Sequence, residues 1–193
     1  NENMPALDLP PTDNAAFAVK LVDAYTDLTA DWELFVRHAN ALMDAMETVP
    51  LSEDHLVVID PARPHSGYGF TDTVGKTGEV LFSSLLYWEA CMLLGKMCRR
   101  VQDHDGAHTW FEAAEHPART LQEFRYERDG MLRAATVDCE QIDVWGSAYA
   151  GVVRAVSKSQ TVRIGRWLFD HYEDCFLRGA VRHLPAPEHW ERM

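Results

Sequence analysis

Val80-Leu81-Phe82-Ser83-Ser84-Leu85-Leu86-Tyr87-Trp88-Glu89-Ala90-Cys91-Met92-Leu93-Leu94 lies within a helix expected from about Gly75 to Val101. Its apolar residues are too many for one stripe, so the helix must be buried on several sides. A helix of that kind needs neighbours, and the flanking sequence supplies them. From about Asn14 to Leu28, Phe17, Leu21, Tyr25 and Leu28 follow at helical spacing and define one expected apolar face. Thr12 or Asp13 can cap that helix. A second helix, about Asp31 to Thr48, carries Trp32, Phe35, Val36, Ala39, Leu42, Met43 and Met46, and the short break between the two implies an antiparallel hairpin. Downstream, a helix from about Gly106 to Arg125 contains Pro117, a potential kink. A fifth runs from about Asp143 to Val156, and a sixth from Ser157, where Ser157-x-x-Gln160 reads as a capping box, to about Tyr172.

The chain thus reads as a single all-α domain over 1–193, with helical hairpins at about 14–48, 75–125 and 143–172 and a C-terminal loop at 178–193. Short β excursions are expected at Leu56–Ile59 and Arg133–Thr136, within loops punctuated by proline and glycine. The third and fifth helices, rich in small and aromatic residues, read as internal; the second, fourth and sixth carry more charge and read as external. Inner and outer layers of that kind build an (α/α)6 toroid, of which three hairpins make half.

The net charge is −12, with 18 Lys plus Arg against 30 Asp plus Glu. That excludes a basic face for nucleic acid and disfavours anionic membranes, and it suits a neutral ligand. No apolar run reaches membrane-spanning length. Cys91 and Cys98 stand seven apart on a helix, about 10 Å by the helical rise, too far for a disulfide. With Cys139 and Cys175 they read as free thiols in a reducing compartment, hence a cytoplasmic expectation. No signal peptide opens the chain, although it begins without Met.

Chemistry is expected at the N-terminal ends of alternate helices. Asp13 opens the first, Asp72 the third and Asp143, followed by Trp145, the fifth. In a toroid these ends gather at one mouth. An Asp at a helix start is most often a cap, and that reading stands beside the functional one. Glu188 lies beside His189 and Trp190 in the tail, a candidate base or a solvated surface acid. His104, Asp105 and His108 lack a completing ligand, so no metal is expected. Cys139 beside Glu140 has no partner His in sequence, and Gly75-Lys76-Thr77 lacks the preceding strand and first glycine of a phosphate loop, so no cofactor is expected either.

Three segments carry a family resemblance. Tyr68 to Glu79 resembles the YGFTDTVAKTGE segment of bacterial six-hairpin glycosidase-like proteins. Gln141 to Ala150 resembles their QIDIWGSAYA segment, and Arg178 to Pro185 their RGQVRHLP segment, with Ala180 in place of Gln. The likeness runs from about Asp8 to Trp190. A more distant similarity is to trehalase-like and processing α-glucosidase-like toroids, whose acid lies in a GLDNSP-type turn and whose base lies in a late EYYDP-type segment. The resemblance implies Asp13 as acid, with Asp8 competing for the role, and Glu188 as base. It implies Asp72, Lys76, Asp143, Trp145, Arg182 and His183 on the sugar. The implied activity is hydrolysis of a neutral glycoside or oligosaccharide by paired carboxylates, with inversion if the two stand about 6.5–9.5 Å apart. The resembling proteins are longer at both ends, so the implied ring is completed by further hairpins or by a second copy in a homo-oligomer. Two other readings stay open: a non-catalytic helical carbohydrate-binding or assembly module, and a sugar isomerase or lyase using His and Tyr.

Overall fold

The computed structural model describes residues 11–62, 74–124 and 129–193, and it is mostly helical. Helix α1 (Asn14–Thr29) ends where Ala30 turns left-handed at φ 58° and donates its N–H to the Thr26 carbonyl. Asp31 then caps α2 (Trp32–Glu47), its Oδ1 accepting from the Glu33 N–H at 3.1 Å. Strand β1 (Val58–Ile59) pairs antiparallel with β2 (Gly78–Glu79), Val58 opposite Glu79. Helix α3 (Leu81–Arg100) and α4 (His104–Thr120) form the second hairpin, followed by a 3-10 turn at Leu121–Phe124. Helices α5 (Val144–Val152) and α6 (Lys158–Asp170) form the third. The short α7 (Tyr172–Cys175) leads into a small hairpin of β3 (Phe176–Leu177) and β4 (Ala180–Val181).

Helix α3 is the centre of this arrangement, as its apolar circumference requires. It packs against its own partner α4 and also against α1 and α5, while α2 and α6 pack on α1 and α5 respectively. One apolar cluster joins α1, α2, α3 and α4 through Val19, Phe35, Met46, Leu86, Leu94 and Trp110. A second joins the start of α3 to α5, to α6 and to Leu121, Phe124, Met131 and Leu132, with Leu81, Leu85 and Ile164 among its members. Trp88 and Tyr149 border both clusters. Small residues set the close approaches: a Cβ on Gly95 would lie 2.7 Å from the Phe111 ring, so the α3–α4 crossing depends on that glycine.

Several local expectations are corrected. The stripe Phe17, Leu21, Tyr25 and Leu28 faces outward, Leu21 and Leu28 being 72% and 87% exposed, and α1 buries Ala16, Val19, Asp23 and Thr26 instead. Small residues let α1 lie close to α3; the larger ones cannot. Helix α3 starts at Leu81 rather than near Gly75, because residues 77–80 are held extended. Thr77 and Val80 bridge to Asp138 and Ala135, and Gly78 adopts φ 76°. That extended segment pairs with the expected β excursion at Arg133–Thr136, which bridges in turn to Ile142. Helix α5 ends at Val152, short of Val156, where Arg154 turns left-handed and Ala155 donates to the Ala150 carbonyl at 2.9 Å. Ser157 does cap α6, accepting from the Gln160 N–H at 3.2 Å, but the Gln160 amide donates to the Gly130 carbonyl instead of closing the box. All four cysteines are unpaired and buried. Among the described residues no helix is long and apolar enough to cross a membrane.

Candidate functional site

The first turn of α5 is fixed by the extended segment before it. The Asp143 N–H donates to the Leu132 carbonyl at 2.8 Å, and Ser147 Oγ accepts from the Leu132 N–H at 2.9 Å. Asp143 is fully buried, and its Oδ1 caps the helix by accepting from the Gly146 N–H at 2.8 Å. A Cβ on Gly146 would stand 2.6 Å from Leu81 Cδ2 and 2.8 Å from Asp143 Oδ2, so only glycine lets α5 start this close to α3. The cap reading of Asp143 is therefore correct, yet it uses only one oxygen. Oδ2 is buried and has no hydrogen-bond partner among the described residues.

The segment after β4 closes over this turn. Val144 donates to the His183 carbonyl at 3.0 Å, and Trp145 Nε1 donates to the Val181 carbonyl at 3.1 Å. The Trp145 and His183 rings stack with centroids 3.8 Å apart. Trp190 meets His183 edge-on at 6.4 Å, and the Lys76 ammonium sits over the Trp190 ring at 4.3 Å. Lys76 is buried, and desolvation holds its ammonium below the usual lysine range against the opposing pull of the Asp143 carboxylate. His183 is lowered by burial first and the Lys76 charge second, again opposed by Asp143. Lys76, Asp143 and His183 thus lie within electrostatic reach of one another, with Trp145 against His183 and Trp190 against Lys76. His183 Nδ1 and Arg182 Nε are, like Asp143 Oδ2, buried without a hydrogen-bond partner among the described residues. Three polar atoms that the fold leaves without a protein partner among the described residues thus lie within a short stretch of two segments.

Four substrate-binding candidates from sequence, Lys76, Asp143, Trp145 and His183, come together here. The Arg182 N–H donates to the Cys175 carbonyl at 2.8 Å, so Arg182 flanks the group through the β4 segment. Asp72 and Asp8 lie outside the described residues. Asp13 is buried at the head of α1, where it makes no side-chain cap, and its neighbour Thr12 donates to Ser83 Oγ on α3 at 3.1 Å. Glu188 is exposed and lines a separate groove of about 400 Å³ with Asp129, Ile142, Trp167, His171, Asp174, Pro185 and Ala186. Ile142 faces that groove, so alternation along the extended segment turns Asp143 to the other side.

Burial raises the Cys139 thiol, and Sγ points at the Gly75 and Arg192 carbonyls. The Cys139 segment anchors the tail, with Arg192 Nη1 2.5 Å from Asp138 Oδ2 and Gly75 donating to the Arg192 carbonyl. Among the described residues no group of three or more His, Cys, Asp or Glu side chains could hold a metal ion.

Sequence reasoning missed two features. Trp190 was read only as a neighbour of Glu188, but its ring lies against the Lys76 ammonium. Glu89, the only charged residue between Val80 and Leu94, was not singled out, though a charge in so apolar a helix demands a partner. Its Oε2 accepts from Lys20 Nζ of α1 at 2.6 Å and from the Tyr149 hydroxyl of α5, and Lys20 also donates to the Tyr149 oxygen. Burial, then the bond to Glu89, raises the Tyr149 phenol and keeps it protonated. No protein-family model matches this chain, and no curated protein matches it.

Proposed function

We propose that the chain is a glycoside hydrolase-like protein acting on a neutral glycoside or oligosaccharide, built as three hairpins of an α/α toroid. The observation that carries the proposal is the buried Asp143 carboxylate. It keeps one oxygen without a partner among the described residues and lies within electrostatic reach of Lys76 and His183, which in turn pack on Trp190 and Trp145. Sugar rings offer hydroxyls that a carboxylate accepts and an ammonium donates to, and an apolar C–H face that lies on an indole. The α1–α3–α5 succession, with α2, α4 and α6 outside it, supports the toroid reading.

Hydrolysis by paired carboxylates needs one acid to protonate the leaving oxygen and one base to take the proton of the attacking water. Asp13, buried at the head of α1, is the proposed acid, and Glu188 the proposed base. The second reading, a non-catalytic carbohydrate-binding or assembly module, is favoured by one observation: Glu188 opens into its own groove, on the other side of the 141–143 segment from Asp143. Release of reducing ends from a panel of neutral oligosaccharides separates the two. Hydrolysis that Asp13→Asn and Glu188→Gln each reduce by about a hundredfold or more, as loss of general acid–base catalysis would, supports the enzyme with these roles. Full activity in both variants rejects the assigned pair. Binding without any release supports the module.

A further inference from the structure

The Lys20–Glu89–Tyr149 cluster takes one residue from each of α1, α3 and α5. The ion pair is open to solvent on one side and leaves one carboxylate oxygen to whatever lies there. The Lys20 and Glu89 side chains remain 27% and 23% exposed. Both donors converge on Oε2, and Glu89 Oε1 accepts no hydrogen bond within the described residues. Aromatic rings flank the pair: Phe82 stacks on Tyr149 with centroids 5.2 Å apart, and the Lys20 ammonium lies 5.7 Å from the half-exposed Phe17 ring. The arrangement shares a carboxylate, an ammonium and aromatic faces with the Asp143 centre, but its carboxylate is part-exposed where Asp143 is buried. Tyr149 is six residues beyond Asp143 on the same helix, about 9 Å by the helical rise, so a ligand touching both centres is longer than one pyranose ring.

We propose that Lys20, Glu89 and Tyr149 form a second saccharide subsite on the face shared by α1, α3 and α5, with Glu89 Oε1 accepting from, and Lys20 Nζ donating to, the hydroxyls of an adjoining sugar unit. Tyr149 is a positioning residue that holds the carboxylate by Oε2. This inference rests on the saccharide reading above and adds that the ligand is at least two units long.

The test is thermal unfolding of the full chain with neutral mono-, di- and trisaccharides of glucose, mannose and xylose. Each variant is judged against its own ligand-free midpoint, so a purely structural loss does not count. The wild type is expected to gain more from a trisaccharide than from its monosaccharide. Tyr149→Phe and Glu89→Gln are expected to keep the monosaccharide shift and to bind the trisaccharide about tenfold more weakly, the scale of one hydrogen bond to a charged group. Asp143→Asn is expected to lose both shifts. If Glu89→Gln fails to fold, Tyr149→Phe, which removes one oxygen, decides alone. A trisaccharide shift that Asp143→Asn abolishes but Tyr149→Phe and Glu89→Gln leave at the wild-type value overturns the second subsite and spares the saccharide reading. No shift of the wild type with any saccharide overturns that reading itself.

Discussion

At the residue scale, Gly146 and His183 have the sharpest consequences. Gly146 lets the start of α5 pass Leu81 and the Asp143 carboxylate at distances a methyl group would violate. Gly146→Ala is therefore expected to lower stability by about 1–3 kcal/mol, the usual cost of overpacking, despite the better helix propensity of alanine. Chemical denaturation measures it, and a gain in midpoint would contradict the described contact. His183 is held below its ordinary 6.5 by burial and by Lys76. The unfolded chain therefore binds this proton more readily than the folded one does. The stability it contributes is complete above pH 6.5 and is lost as pH falls below that value toward the folded pKa. His183→Gln should flatten that part of the stability-versus-pH curve relative to wild type, and identical curves would show that His183 does not titrate as described.

At the element scale, caps and latches decide where helices begin. Ser157→Ala should cost about 1 kcal/mol, because only the Ser157 hydroxyl caps α6 while Gln160 is engaged with Gly130. The tail latch behaves differently. Thr77 first, and Arg192 second, hold the Asp138 carboxyl below the ordinary 3.8, so this contribution is present at neutral pH and is lost as pH falls below 3.8. Proteolysis of the tail should accelerate in that range for wild type and at all pH values for Asp138→Asn; equal rates at neutral pH would reject the latch. These elements also show what was legible. The hairpins, the Ser157 cap of α6 and the extended segments at Leu56–Ile59 and Arg133–Thr136 follow from local periodicity and turn chemistry, which lie in consecutive residues. The α1 face was misread because periodicity reports where large apolar residues recur, whereas close packing against α3 selected Ala16 and Val19. The Lys76–Asp143–His183–Trp190 grouping joins residues far apart in the chain; its members were visible as motif residues, but their adjacency depends on the tail folding back over α5.

At the scale of the whole molecule, the outward stripe of α1 bears on association. Leu21 and Leu28 are exposed apolar area that pairing with a second copy would bury. If they pair, sedimentation shows a dimer that Leu21→Glu with Leu28→Glu dissociates; a monodisperse wild-type monomer would contradict pairing. The proposed binding of a neutral saccharide at the Asp143 centre is a separate question. Isothermal titration with neutral trisaccharides tests it most directly, comparing wild type with Asp143→Asn, which keeps the capping oxygen and removes the charge. Saturable binding to wild type and about 10-fold or greater weakening in the variant are expected, as befits loss of a hydrogen bond to a buried charged group. Equal affinity in the two proteins, or heat from neither, would contradict it.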